Sequence, residues 1–97
     1  MLAVNLYDDK YLVRFKYTRG DPLYHERTTC TIRKVADDPD LSELVGFGHT
    51  KLHPNDNFCK NTGRKISFAR ALKDADMDKE ERKLFWQEYF KARGKVN

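Results

Sequence analysis

Residues 10–18 read KYLVRFKYT, and their alternation decides the fold. Tyr11, Val13, Phe15 and Tyr17 fall on one face of an extended chain, and Lys10, Leu12, Arg14 and Lys16 fall on the other, which is mostly polar. This is the period of a half-buried strand with one face on a core. Downstream, RGDPL (19–23) supplies turn residues, and HERTTCTIRKV (25–35) is β-branched, with Thr28, Cys30 and Ile32 facing one way and Arg27, Thr29, Thr31 and Arg33 the other. The two segments are expected to pair. After the acidic loop ADDPDLSE (36–43), LVGFGHTKL (44–52) reads as a third strand with Val45 and Phe47 inward, its Gly46 and Gly48 allowing a bulge or a close backbone approach. The opening AVNLY (3–7) offers a short fourth strand.

His53-Pro54-Asn55-Asp56 then stops strand pairing, because proline donates no ladder hydrogen bond and Asn and Asp favour turns or helix caps. A helix follows, starting at Thr62 with Gly63 in its first turn, or running from Asp56 with Gly63 allowing close packing on the sheet. Its apolar stripe is expected to be Phe58, Phe68, Ala69, Leu72 and Ala75. A second helix is predicted over 79–93. Asp78 with Glu81 forms a capping box, and Gly94 ends the run after Lys91 and Arg93. The expected architecture is α+β: an antiparallel sheet of three to four strands followed by two helices packed on one face, forming a single domain over 1–97. Phe15, Ile32, Phe47, Leu72 and Phe85 are the expected core.

Composition narrows the function classes. The chain has 97 residues, 35% of them charged and 12% aromatic, with 19 basic against 15 acidic side chains and a net charge of +4. That bias is compatible with nucleic acid or an acidic protein partner. The start MLAVNLYDDKY lacks the basic lead and apolar run of a secretory signal, and no apolar run reaches membrane-spanning length, so the expected location is cytoplasmic, with no membrane partner. In that reducing compartment Cys30 and Cys59 are expected as thiols.

Cys30, His49, His53 and Cys59 are the potential zinc ligands. Zinc knuckles pair ligands about two to four residues apart, and here only His49 and His53 are close, while Cys30 alternates with Ile32 toward the core. No metal and no cofactor is expected. Asp74, Asp76 and Asp78 alternate as in a calcium loop, but Lys79 stands where such a loop needs glycine and Phe85 where it needs a bidentate glutamate. They read as the helix connection and its capping charge. Cys59 with His53, or Asp56 with Asp74, lacks any positioning motif, and the glycines form no phosphate loop, so no catalytic residues are expected and the protein reads as a non-enzyme.

Binding is the better-supported class. On a wheel of the last helix, Phe85, Tyr89 and Ala92 form the core face. Lys79, Arg82, Lys83, Trp86, Phe90 and Arg93 gather in an adjacent stripe, with Glu80, Glu81 and Glu88 opposite. Basic residues neutralise phosphates, and an aromatic among them can stack on a base or anchor a protein interface. The bland reading has Trp86 and Phe90 half-buried with lysine stems across them. Lys10, Arg14, Lys16, Arg27 and Arg33 make a second basic surface on the sheet face away from Val13, Phe15, Cys30 and Ile32. Arg64, Lys65, Arg70 and Lys73 scatter around their helix, which reads as a packing element.

The arrangement CTIRKV (30–35) followed by LVGFGHTKLHPNDNFCKNTGRKISFARAL (44–72) resembles small uncharacterised proteins of bacteriophages and prophages. In these a strand ending in a P-x-D-x-F loop runs into a GR-x-x-x-x-x-RAL helix. The matching positions are Pro54, Asp56, Phe58, Gly63, Arg64, Arg70, Ala71 and Leu72, within residues 28–73. The resemblance implies an accessory protein that a phage uses on its host, with no activity attached. GFGHTKL followed by GRKISFARAL is also faintly similar to double-stranded-RNA-binding domains. That family's leading helix has no counterpart here, so none of its RNA-contacting residues carries over. Two functions follow as expectations. One is a nucleic-acid-binding protein using the stripe from Lys79 to Arg93, with Arg14, Arg27 and Arg33 as a further basic face. The other is a phage-encoded inhibitor that binds a host protein, itself a candidate nucleic-acid handler, through the same patch.

Overall fold

The structure is a computed structural model that describes residues 2–18, 26–36, 42–52 and 60–93. Strands β1 (Leu2–Leu6), β2 (Asp9–Thr18), β3 (Glu26–Val35) and β4 (Glu43–Leu52) form one antiparallel sheet in chain order. Helices α1 (Lys60–Asp74) and α2 (Lys79–Ala92) follow. The α+β architecture read from the alternation at 10–18 is the one observed. None of the described helices is long and apolar enough to cross a membrane.

Strand register makes the two faces unequal. Val13 pairs with Ile32, and Phe15 with Cys30, so the odd positions of β2 and the even positions of β3 share the helix-facing side. Val4, Leu6, Tyr11, Val13, Cys30 and Ile32 there meet Phe68, Ala71, Leu72, Phe85 and Tyr89 from the helices in one buried cluster. Helix α1 lies on β4 and β3, and α2 packs beside β1. Tyr7 and Asp8 alone connect β1 to β2, because Leu6 already pairs with Asp9. Such a tight reversal needs positive φ to match strand twist, and Tyr7 supplies it at 57° where glycine or asparagine is usual.

Phe47 corrects the expected core. It points away from the helices and is 43% exposed, while Gly46 and Gly48 occupy the helix-facing positions of β4. The reason is the closeness of α1. A Cβ on Gly48 would stand 2.2 Å from the Ser67 carbonyl oxygen and 2.4 Å from the Ala71 nitrogen, and one on Gly46 would stand 2.5 Å from the Ala71 carbonyl oxygen. Between Ile32 and Arg33 the register shifts, so Val45 is the extra residue of a bulge and is partly buried against the core. Phe15 is likewise only partly buried, edge-on to Phe68 and Tyr89.

The stripe on α1 is rotated from the expected one. Gly63, Ser67, Phe68, Ala71 and Leu72 are buried, Ala75 is half-buried, and Ala69 is exposed. The glycine trough in β4 receives the Ser67 and Ala71 side of the helix, which turns Ala69 outward. The helix spans Lys60–Asp74 and so includes residues before Thr62, while the alternative start at Asp56 lies outside the described residues; Gly63 sits where a Cβ would be 2.7 Å from the Thr28 hydroxyl. Phe58 and the strand stop at 53–56 lie outside the described residues, as do the turn at 19–23 and Gly94.

The three aspartates each have a backbone task. Asp74 accepts a hydrogen bond from the Phe47 N–H at 3.0 Å. Asp76 takes φ 58° just past α1, where its own N–H bonds the Lys73 carbonyl and that of Met77 bonds the Leu72 carbonyl. This pairing satisfies the carbonyls at a helix end, with aspartate in the usual glycine position. Asp78 caps α2: its carboxylate accepts from the Glu81 N–H at 2.8 Å, and the Glu81 side chain accepts from the Asp78 N–H at 3.1 Å. Helix α2 ends one residue before its expected limit, and Ala92, expected inward, is exposed because it lies on the last turn.

Candidate functional site

The face of the sheet turned away from the helices carries the basic residues that alternation assigned to it. Across β2, β3 and β4 its rungs are Leu12–Arg33–Leu44, Arg14–Thr31–Phe47 and Lys16–Thr29–His49, with Thr18 opposite Arg27 beyond them. Lys10, Arg14, Lys16, Arg27 and Arg33 are all exposed. Asp9 and Glu43, the described carboxylates of these strands, are on the other register. The ion pair at 3.4 Å between Lys34 and Asp9 lies there too, and among the described residues no carboxylate pairs with Arg14, Lys16, Arg27 or Arg33. Among the described residues, the charged side chains that β2 and β3 place on this face are all basic.

Its centre is shaped as well as charged. Arg14, Lys16 and Arg33 border a concavity of about 620 Å³ whose lining includes the half-buried Thr29 and Thr31. The threonine hydroxyls add short donors and acceptors to a floor framed by fixed cations. On β4 the Phe47 and His49 rings stand two residues apart on the same face, with centroids 5.7 Å apart. They are the outer end of the two central rungs.

Helix α1 closes the free edge of β4 next to these rings. Arg70 donates to the His49 carbonyl at 2.7 Å, and Asp74 accepts from the Phe47 N–H, so two side chains four residues apart satisfy backbone groups that another strand would otherwise seek. Arg70 and Lys73 line a groove of about 790 Å³ along this edge with Phe47 and His49. Arg70, which looked idle on the wheel, thus fixes the edge strand. The signal for Phe47 and His49 was the spacing of Gly46 and Gly48. Two glycines at alternate positions leave one strand face bare, and a helix seated closely must take that face.

The stripe on α2 is divided in the structure. Lys79, Arg82, Lys83 and Arg93 are exposed, while Trp86 and Phe90 are half-buried and packed against the core. Trp86 stands edge-on to Phe68 at 4.7 Å and stacks with Phe90 at 5.7 Å. The Lys65 ammonium lies 5.8 Å above the Phe90 ring, and the Arg93 guanidinium 5.9 Å from that of Tyr89. The rings of this stripe thus already have partners within the protein.

Cys30 and His49 cannot share one ion: Cys30 pairs with Gly48 on the buried face, and His49 is on the opposite face. His53 and Cys59 lie outside the described residues. Burial pushes the Cys30 thiol up to about 12, which holds it protonated and unreactive at neutral pH. The chain matches no protein-family model, no curated protein and no solved structure.

Proposed function

We propose that this protein is a non-enzymatic nucleic-acid-binding protein that acts in the cytosol as an accessory factor of the phage type, and that the open face of its sheet is the binding surface. The observation that carries this reading is the sorting of charge by strand register. Arg14, Lys16, Arg27 and Arg33 stand exposed on one face with no carboxylate among them, although the chain as a whole has nearly balanced charge. A solvated face that needed only solubility would mix the signs, because opposite charges across strands stabilise a sheet and like charges do not. Concentrated cations suit a polyanion whose phosphates are regularly spaced.

The sheet is favoured over α2 because of what the aromatics do. On α2 Trp86 and Phe90 are half-buried against the core, and Lys65 and Arg93 already lie over the rings of Phe90 and Tyr89. On the sheet Phe47 projects to solvent in the same rung as Arg14, with Thr31 between them. An inhibitor that docks on a host protein through α2 is the competing reading.

Salt separates the two. With Arg14, Lys16, Arg27 and Arg33 each neutralising a phosphate, the logarithm of affinity should fall with the logarithm of salt with a slope of about 3 to 4. Fluorescence anisotropy of a labelled oligonucleotide over a salt series gives that slope. Absence of oligonucleotide binding at low salt, together with capture of a nuclease-resistant protein partner from bacterial lysate, would overturn the reading in favour of the inhibitor.

A further inference from the structure

We infer that the nucleic acid bound is single-stranded, and that Phe47 and His49 form the platform on which its bases stack. This rests on the sheet face being the binding surface and adds the form of the ligand. The starting point is an inversion on β4. The strand places glycine at both of its inner central positions and an aromatic or imidazole ring at the outer ones, with Leu44 also outward at 47% exposure. Close seating of α1 accounts for the glycines. It does not account for the outward rings. A small polar residue at 47 would keep the same Asp74 hydrogen bond, because that bond uses the backbone N–H.

Phe47 leaves a large apolar ring 43% exposed, and exposure of such a ring forgoes stabilisation that burial would give. A ligand with flat apolar faces would recover it. Nucleobases have such faces, and only an unpaired strand offers them, since the bases of a duplex are stacked on one another inside the helix. Among the described residues, the sheet face is also broad and carries no helix that would enter a major groove.

Position supports the same ligand. The rungs Arg14–Thr31–Phe47 and Lys16–Thr29–His49 run from cation to hydroxyl to ring across the strands. A single strand laid along the sheet can therefore keep its phosphates over Arg14, Lys16 and Arg33 while its bases lean toward β4. The edge does not block this path. Arg70 and Asp74 hold the β4 backbone from the α1 side, which fixes the strand that presents both rings, and the groove there is lined by Asp74 and Asp76 as well as by Arg70 and Lys73, so this end offers rings to bases and leaves the phosphates to Arg14, Lys16 and Arg33. Tyr7, also exposed, stands at the β1–β2 turn away from these rungs.

The test uses the whole chain and labelled oligomers of deoxythymidine and of uridine, against a hairpin duplex of equal length. Wild type should bind both single strands at least tenfold more tightly than the duplex. Phe47→Ala should weaken single-strand binding about tenfold, within the range for loss of one base stack, and leave duplex binding unchanged. Because the ring is exposed, the variant's melting midpoint should stay near wild type. Phe47→Trp should restore affinity, and His49→Ala should weaken it less than Phe47→Ala does. Equal binding of duplex and single strands, with Phe47→Ala neutral and the salt slope intact, would overturn the stacking platform and leave the phosphate-binding face standing. Failure of every oligomer to bind would overturn both.

Discussion

Gly48→Val is expected to destabilise the protein by at least ~3 kcal/mol, a large share of the roughly 5–15 kcal/mol that holds an ordinary domain together. The new Cβ alone would stand 2.2 Å from the Ser67 carbonyl oxygen and 2.4 Å from the Ala71 nitrogen, and both are backbone atoms that no rotamer change can move aside. Helix α1 would have to lift from β4, which would break the Arg70 and Asp74 hydrogen bonds to that strand and expose Phe68 and Leu72. Urea unfolding followed by circular dichroism measures the loss. The more moderate Gly48→Ala should fall between wild type and valine. A valine variant as stable as wild type would show that the helix does not sit this close to the strand.

Phe68→Ala should cost about 3–5 kcal/mol by the same measurement, the range for emptying an aromatic site in a packed interior. Phe68 is fully buried and touches ring after ring: Phe15 edge-on at 6.0 Å, Phe85 at 6.3 Å, Trp86 at 4.7 Å, and Tyr89 stacked at 5.4 Å. It joins α1 to α2 and to β2, so its removal opens a cavity bounded by side chains too large to close over it. Trp86 fluorescence should change with it, because Phe68 packs edge-on against the indole. Phe68→Leu, which keeps most of the apolar volume, should cost markedly less.

These two sites show where the sequence was legible. Alternation placed residues 10–17 of β2 and 27–33 of β3 on their observed faces, because a strand with one buried side must repeat every second residue. Asp78 and Glu81 placed the start of α2 to the residue, since a capping box is a local device whose bonds span three positions. Hydrophobicity alone points Phe47 inward, whereas the close approach of α1 that turns it outward is a tertiary contact no local pattern carries. The same contact rotated the α1 stripe from Ala69 to Ala71. The basic sheet residues were legible from register alone. Thr29, Thr31, Phe47 and His49, which complete that surface, became visible only when β4 was set beside β3.

If the proposed function holds, the sheet face, and not α2, binds nucleic acid. The most direct test compares Arg14→Glu/Arg33→Glu with Arg82→Glu/Lys83→Glu for affinity to one labelled single-stranded oligonucleotide at fixed salt. Both pairs are exposed, so both variants should fold, and both lower the net charge equally, so long-range attraction changes alike and only location differs. The sheet pair should weaken binding well over tenfold, with a shallower salt slope, while the helix pair should change it by less than about threefold. Binding that survives reversal on the sheet and is lost on reversal of Arg82 and Lys83 would contradict the sheet face as the binding surface.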